Sequence, residues 1–241
     1  MKEFVTLACI NNSGADRRSK GIAYLNYFEK FVQNRSYLDS AEKLLAPNSD
    51  LDFLNGYDAL VRLKFLKEDY RGVLELKNRH AALHGEGERA STSMDRAWTC
   101  YRIAESCQQT GALTEAVSYY RAATELLPYQ LAFRNKYASA LEEAGRPDEA
   151  ASHYEFILSE DPKNVTALVN YGYLLLSTRR QLATADSLYA AALSLDPDHL
   201  QALINKTGTS VLAGDFTEAK RLLARAVRID PKNAQVIRMR D

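Results

Sequence analysis

Residues 145–162 read GRPDEAASHYEFILSEDP, and residues 214–231 read GDFTEAKRLLARAVRIDP. Both segments run from a glycine through an alanine to an Asp-Pro pair with the same spacing. The closing proline belongs to a longer series with intervals of 34, 35 and 34 residues: Pro128, Pro162, Pro197 and Pro231. A fixed period of this length is typical of stacked supersecondary units, so the sequence predicts a repeat architecture.

Each segment that leads to one of these prolines has the pattern of a helix with one buried face, because apolar residues recur at i, i+4, i+7 and i+8. The positions twelve and eight residues before the prolines hold Ala116, Ala150, Ala185 and Ala219, and Tyr120, Tyr154, Tyr189 and Leu223. A second apolar stripe comes before each segment, which predicts a pair of helices per period. Small residues in those earlier stripes, Ala104, Ala138 and Gly172, are expected to let the paired helices approach closely.

Glycine marks the end of the first helix in three of the four units. Gly111, Gly145 and Gly214 each precede the recurring alanine by five residues. Glycine adopts the left-handed backbone that ends a helix without steric strain. In the third unit Arg179 stands six residues before the alanine, which predicts that the one extra residue of this unit lies in the turn.

Capping residues are expected where each helix begins. The predicted N-caps are Thr114, Asp148 and Thr217 for the second helices, and Asn164, Asp198 and Asn233 for the first helix of the next unit. The prolines are expected to close each unit, because the residue before a proline is pushed out of helical geometry.

These columns resemble the tetratricopeptide repeat family. The resemblance covers about residues 97–231, in four units: Ala97–Pro128, Leu131–Pro162, Val165–Pro197 and Leu200–Pro231. It implies an all-α fold, an α-solenoid in which helix-turn-helix repeats stack into a right-handed superhelix.

Upstream of residue 97 the period fades, although helical patterns persist over residues 20–34, 37–46, 51–67 and 70–83. The expected domains are a weakly ordered segment (1–19), degenerate helical pairs that cap the stack (20–83), a polar loop (84–96), the four repeats (97–231) and a C-terminal helix (232–241). Stacks normally end with a polar-faced capping helix. Either the last short helix caps imperfectly, or the chain is part of something longer, or another molecule covers this end.

Charge and composition exclude some classes of function. The 241 residues carry no net charge, which disfavours a nucleic-acid role driven by a broad basic surface. No apolar run approaches the roughly eighteen residues of a membrane helix, so we expect no membrane insertion. The charge is uneven: residues 97–162 hold five basic and ten acidic side chains, and residues 200–241 hold eight basic and four acidic. This gradient can orient a charged partner or favour head-to-tail self-association, or it can reflect ordinary solvated faces.

The sequence contains no recognisable catalytic motif, so we expect neither an enzyme nor a cofactor or metal site. His80 and His84 have a spacing that can hold a metal, but an isolated pair is more typical of solvated surface. Cys100 and Cys107 are expected to act as small apolar residues on one helix. Cys9 follows FVTLA, which is faintly similar to a bacterial lipoprotein processing site, but the apolar stretch is short for a signal peptide. The compartment therefore stays open between the cytoplasm, which is mildly favoured, and a bacterial envelope.

The family resemblance implies that residues of each first helix line a concave groove. The partner-binding residues expected from it are Trp98, Tyr101, Arg102, Glu105, Asn135, Lys136, Ser139, Thr166, Asn170, Tyr173, Gln201 and Asn205. Arg102, Lys136, Asn170 and Asn205 form a ladder of hydrogen-bond donors suited to peptide carbonyls or carboxylates. Alternatively, the asparagines serve packing between repeats. The cations with which some family members clamp a chaperone's C-terminal carboxylate do not recur, which disfavours that role.

Three functional hypotheses follow. The favoured one is a non-catalytic module that docks an extended peptide or a helix of another protein in its groove and scaffolds an assembly. The second is a structural spacer or self-associating segment whose opposed charges join copies of the chain. The third is the docking portion of a larger multidomain protein.

Overall fold

A computed structural model describes residues 16–29, 35–47, 49–83 and 93–240. Most of the predicted weakly ordered segment, Cys9, His84 and the predicted loop over residues 84–92 lie outside this part of the chain. The described residues form thirteen α-helices and no strand. In chain order the helices are α1 Arg17–Tyr27, α2 Arg35–Leu45, α3 Asp50–Leu66, α4 Tyr70–Leu83, α5 Ser93–Gln109, α6 Leu113–Leu126, α7 Leu131–Glu143, α8 Pro147–Glu160, α9 Val165–Arg179, α10 Leu182–Leu195, α11 Leu200–Leu212, α12 Phe216–Ile229 and α13 Ala234–Arg240.

The chain divides into an N-terminal unit that ends at Leu127 and a C-terminal unit that begins at Pro128. In the N-terminal unit the helices pack as consecutive pairs, α1 with α2, α3 with α4, and α5 with α6, and the first helices of neighbouring pairs also touch. The degenerate pairs predicted from the sequence are therefore helical. Helix α1 starts at Arg17, three residues before the predicted start, because Asp16 caps it by accepting a hydrogen bond from the Ser19 amide at 3.0 Å. Helix α5 likewise begins at Ser93, inside the predicted loop.

The C-terminal unit repeats the same arrangement, with α7 packed on α8, α9 on α10 and α11 on α12. The recurring alanines and tyrosines form its core. Tyr154 and Tyr189 are fully buried, as is Tyr120 in the other unit. The expected close approach is confirmed at Gly172, where an added Cβ atom would lie 2.7 Å from the ring of Tyr189.

The predicted left-handed glycines are confirmed, with φ values of 84° at Gly111, 73° at Gly145 and 80° at Gly214. In each case the next amide reaches back five residues to the first helix, as from Ala112 to the Cys107 carbonyl at 2.8 Å. This is the hydrogen bond of a Schellman motif. The left-handed residue of the third unit is Arg180, at φ 52°.

The extra residue of the third unit lengthens a helix, so its predicted place in the turn was wrong. Helix α9 has 15 residues, whereas α7 and α11 have 13. The amide of Gln181 then reaches back six residues, to the Leu175 carbonyl at 3.1 Å. The inserted residue therefore lies in the last turn of α9. Arg180 takes the left-handed position that glycine holds in the other three units.

The N-caps predicted for the second helices were wrong by two residues. The actual caps are Ala112, Arg146 and Asp215, and of these only Asp215 makes a side-chain cap hydrogen bond. The Schellman hydrogen bond is made by the residue directly after the glycine, and that residue is also the N-cap of the next helix. The expected capping residues therefore lie within its first turn. For the first helices, Asn164 caps α9 and Asn233 accepts from the amides of α13, as predicted, but α11 is capped by His199 instead of Asp198.

Candidate protein-binding face

Eight of the twelve predicted partner-binding residues lie on α7, α9 and α11, the first helices of the C-terminal unit. Helix α9 contacts both of the others. We call this surface the first-helix face. Its exposed members are Lys136, Thr166, Tyr173 and Gln201, and its half-buried members are Ser139, Asn170 and Asn205, while Asn135 is buried.

Two of the asparagines predicted to bind a partner are hydrogen-bonded to each other. The side-chain nitrogen of Asn170 donates to the Oδ1 atom of Asn135 at 3.1 Å, and Asn135 is only 8% exposed. This hydrogen bond joins neighbouring repeats, as the packing alternative expected. These two residues therefore stabilise the stack, and only part of their hydrogen-bonding capacity faces outward.

The remaining side chains of this face combine an aromatic ring with polar groups. Tyr173 is 52% exposed although it is large and aromatic. One helix further on, Gln201 donates to the Oδ1 atom of Asn205 at 2.8 Å, and the Asn205 side chain also reaches the phenol of Tyr189. None of the eight side chains carries a negative charge, and Lys136 carries a positive one. The face therefore offers hydrogen-bond donors and a flat apolar surface.

The other four predicted residues, Trp98, Tyr101, Arg102 and Glu105, lie on α5 of the N-terminal unit and pack tightly there. The rings of Trp98 and Tyr101 meet edge to face at 5.7 Å, and Arg102 lies over the indole at 5.5 Å. Burial raises the pKa of Tyr101, and the nearby Glu105 carboxylate adds to this increase. The phenol therefore stays neutral.

Arg102 was predicted as a rung of the donor ladder, and in the structure charged groups of its own unit surround it. Burial, together with the positive charge of Arg62, lowers the pKa of Arg102 to about 10. The carboxylates of Glu29, Asp58 and Asp95 oppose this decrease. Even so, the guanidinium remains charged at neutral pH.

Sequence reasoning missed a polar cluster near Arg102, formed in the N-terminal unit by α3 and by residues at the end of α1. The guanidinium of Arg62 donates to both carboxylate oxygens of Glu29, at 2.9 and 2.6 Å, and to Asn26 at 2.8 Å. Asp58 accepts a hydrogen bond from Thr99 of α5 at 2.9 Å. The spacing of Asp58 and Arg62 places them on one helix face. However, the repeat pattern fades before residue 97, so the sequence does not align this part of α3 with α5.

Comparisons with known proteins agree with the repeat pattern. Family models described as tetratricopeptide repeat match residues 99–128, 136–199 and 178–240, which together cover more than half of the sequence. The chain belongs to the tetratricopeptide repeat family. Tetratricopeptide repeats generally mediate protein–protein interaction and scaffolding, and the fold is generally a non-catalytic interaction module.

Similar sequences include parts of larger enzymes. The protein adenylyltransferase Fic of Drosophila willistoni is 32% identical over 77 residues, and that of Drosophila mojavensis is 36% identical over 66 residues. These regions make up 32% and 27% of this chain, but only 16% and 13% of the two enzymes. This chain thus spans less than a fifth of the length of the two Fic enzymes that it matches.

Similar solved structures confirm the predicted all-α solenoid class. PilF of Pseudomonas aeruginosa has a TM-score of 0.63 at 14% identity, over 93% of this chain and 95% of its own. A tetratricopeptide repeat protein of Parabacteroides merdae has a TM-score of 0.63 at 16% identity, over 78% and 71%. YrrB, described as a tetratricopeptide repeat protein with an unusual peptide-binding site, has a TM-score of 0.56 at 16% identity, over 84% and 97%. At these identities the similarity shows the fold.

Neither metal binding nor membrane crossing finds support in the described part of the chain. No group of three or more histidine, cysteine or acidic side chains is placed there to hold a metal ion. None of the helices in that part combines the length and apolar composition that crossing a membrane demands. His80, one of the two histidines whose spacing could hold a metal, packs against Tyr57, and their ring centres are 4.3 Å apart.

Proposed function

We propose that this chain is a non-catalytic interaction module that docks a peptide or helix of a partner protein on its first helices and scaffolds an assembly. The observation that carries the proposal is the exposed ring of Tyr173, which lies on the same face as the amides of Asn170 and Asn205. A ring that is 52% exposed on an ordered helix suits contact with an apolar side chain of a bound segment.

The polar groups of the face supply the second element of recognition. An extended segment carries one backbone carbonyl per residue, and side-chain amides are suitable donors to them. The charge of Lys136 favours a carboxylate in the bound segment. YrrB, which shares the fold, is described as having an unusual peptide-binding site, and this supports a peptide as the bound species. The four predicted residues of α5, Trp98, Tyr101, Arg102 and Glu105, stay a separate proposed binding surface within the N-terminal unit.

The test separates binding from stability by changing only exposed side chains. Tyr173→Ala combined with Lys136→Ala removes the ring and the cation of the face, while the Asn135–Asn170 bond stays intact. Tyr129→Ala combined with Lys163→Ala is the matched control, because it removes the same two residue types from exposed positions between helices. Both variants should keep the helical circular dichroism of the wild type.

Partners are then captured from lysate with each purified protein as bait and quantified by mass spectrometry. We expect the Tyr173/Lys136 variant to lose at least nine-tenths of the proteins that the wild type enriches, and the control to retain them. Equal enrichment by the two variants would place the binding site elsewhere on the molecule.

A second candidate is a docking portion of a larger protein, favoured by the short share of the Fic relatives that the chain matches. In that case the first-helix face would present substrates or partners to a further domain. Sequencing the complete reading frame tests this candidate directly, since it requires a further domain in the same polypeptide.

A further inference from the structure

Glu142 is a half-buried carboxylate on α7 that the predicted site did not include. It follows Asn135 and Ser139 at the spacing i, i+4, i+7, so the three side chains lie along one side of the helix. Asn135 is the residue to which Asn170 of α9 donates at 3.1 Å. Glu142 therefore extends the first-helix face by two turns, about 10 Å, beyond this contact.

Within the described residues no cation pairs with this carboxylate. The Glu142 side chain also makes no hydrogen bond to any residue in the part of the chain that the structure covers. Burial raises the pKa of the Glu142 carboxyl, and the like charge of Glu143 adds to the increase. A partly desolvated carboxylate beside a second negative charge is costly unless a cation binds to it. Groups in this situation are typical of functional sites.

The hydroxyl of Tyr154 on α8 lies near the same carboxylate. Tyr154 is fully buried, and its hydroxyl has no hydrogen-bond partner among the residues that the structure describes. Burial raises the pKa of Tyr154, and the charges of Glu142 and Glu143 add to this increase. The hydroxyl is therefore within reach of their charges. Two polar groups thus meet at this point without satisfying each other.

The first repeat shows how the same two positions can satisfy each other. Counted from the closing proline, Gln108 and Tyr120 occupy the positions of Glu142 and Tyr154. There the tyrosine hydroxyl donates to the Oε1 atom of Gln108 at 3.0 Å. A neutral amide is therefore sufficient for packing against the tyrosine. The negative charge in the second repeat goes beyond what packing requires.

The exposed ring of Tyr173 on α9 lies close to Glu142. Burial raises the pKa of Tyr189, while the Asn205 side chain lowers it. Tyr173 and the charge of Glu142 add to the increase, so both groups lie near the Tyr189 phenol. A carboxylate and a ring that is 52% exposed therefore lie on neighbouring first helices of one surface.

We propose that Glu142 and Tyr173 form a subsite for an arginine of the segment that docks on the first-helix face. This inference rests on the proposed function and adds the class of residue that the bound segment carries. A guanidinium donates two parallel hydrogen bonds to a carboxylate while its flat face stacks on an aromatic ring. Lysine offers a point charge and no planar group, so it should bind more weakly. The Tyr154 hydroxyl can donate to the same carboxylate and favour its charged form.

The test identifies the preferred residue without a known partner. A phage library of random peptides is selected against the full wild-type chain, Glu142→Gln and Tyr173→Ala, and the enriched sequences are counted. We expect arginine to be enriched at least about fivefold at one position of the wild-type peptides, and this enrichment to be lost with Glu142→Gln. Glu160→Gln is the matched control, because it removes an exposed carboxylate from α8. It should select the same peptides as the wild type.

One enriched peptide then measures the contact itself. Its arginine is replaced by citrulline, which keeps the shape and loses the charge, and both fluorescein-labelled peptides are titrated by fluorescence anisotropy. The citrulline peptide should bind the wild type about tenfold more weakly, as expected for a partly buried charge pair. The difference should shrink as the salt concentration rises. In Glu142→Gln the two peptides should bind equally, which completes a double-mutant cycle.

Glu142→Gln should fold as well as the wild type, because it recreates the Gln108–Tyr120 pair in the second repeat. Its midpoint in urea unfolding is expected to be equal to that of the wild type or higher. A loss of arginine preference in this variant therefore reports on binding and not on unfolding.

Four results would overturn the inference. Peptides that require Tyr173 but show no preference for arginine would remove the subsite and leave the proposed docking function standing. Failure of the wild type to enrich any peptide would overturn the docking function as well. A lower urea midpoint in Glu142→Gln with unchanged peptide selection would show that Glu142 serves only packing against Tyr154. Self-association of the wild type in sedimentation that Glu142→Gln abolishes would make a second copy of the chain the occupant.

Discussion

Replacing Gly172 by alanine tests a close contact between α9 and α10 in the C-terminal unit. An added Cβ atom would lie 2.7 Å from Cε1, 3.0 Å from Cζ and 3.2 Å from Cδ1 of Tyr189. The tyrosine is fully buried, so its ring cannot swing into solvent. Either the ring or the backbone of α9 must therefore move.

Two opposing effects determine the size of the change. Alanine in place of glycine inside a helix stabilises it by about 0.5–1 kcal/mol, while overpacking a core costs about 1–3 kcal/mol. We expect Gly172→Ala to lower the free energy of unfolding by about 0.5–2 kcal/mol. The matched control is Gly208→Ala on α11, where an added Cβ meets nothing within 4 Å. It should raise the free energy of unfolding by about 0.5–1 kcal/mol.

Urea unfolding followed by circular dichroism at 222 nm measures both variants. With a typical slope of about 2 kcal/mol per molar urea, the two midpoints should move in opposite directions by about 0.3–1 M. In a Tyr189→Leu background the Gly172→Ala change should become stabilising, since the ring that it meets is gone. If Gly172→Ala stabilises the wild type as much as Gly208→Ala does, the ring does not press on α9 and the packing described above is wrong.

Two further predictions concern a half-buried histidine and the turns. Burial, reinforced by a neighbouring arginine, lowers the pKa of His153. The unfolded chain therefore binds a proton at His153 more readily than the folded chain does. The contribution of His153 to stability is complete above about pH 6.5 and falls as the pH drops through the lowered pKa. Between pH 7.5 and 5.5 the melting temperature should therefore drop more in the wild type than in His153→Gln, and equal drops would contradict this. Arg180→Gly should raise the free energy of unfolding by about 1 kcal/mol, because arginine holds a left-handed φ of 52°, and Gly145→Ala should lower it by about the same amount. Urea unfolding measures both, and a lower midpoint in Arg180→Gly would show that its side chain matters more than the backbone strain.

The repeats themselves were predictable from sequence, down to single backbone angles. The prolines, alanines and tyrosines recur at fixed spacing, and the left-handed state of Gly145 follows from its place between two apolar stripes. Helix starts were less predictable. Asp148 has a good capping side chain, yet the chain leaves the preceding turn two residues earlier, because a Schellman bond from the Arg146 amide to the Leu141 carbonyl fixes it at 2.8 Å.

The candidate site was predictable as a set of helix faces and unpredictable in its contacts. The sequence places Asn135 and Asn170 on the first helices of neighbouring repeats, one position out of register with each other, but it does not show that one donates to the other. The surroundings of Arg102 were unpredictable for a similar reason. Its place in the donor ladder stays a prediction, but the sequence did not show that Glu29, Asp58 and Arg62, where the repeat pattern has faded, supply charges around it.

By itself the sequence determined the helical period, the turns and the family, because each of these depends on residues within about one repeat of one another. Only the tertiary structure decided which polar side chains are already bonded and which remain exposed, such as Tyr173. It also showed that Asp186 accepts hydrogen bonds from Lys206 and Thr209 of the next helix. The physical reason is that hydrogen bonding and burial depend on the atoms of a neighbouring helix, and the period of a sequence carries no information about their distance.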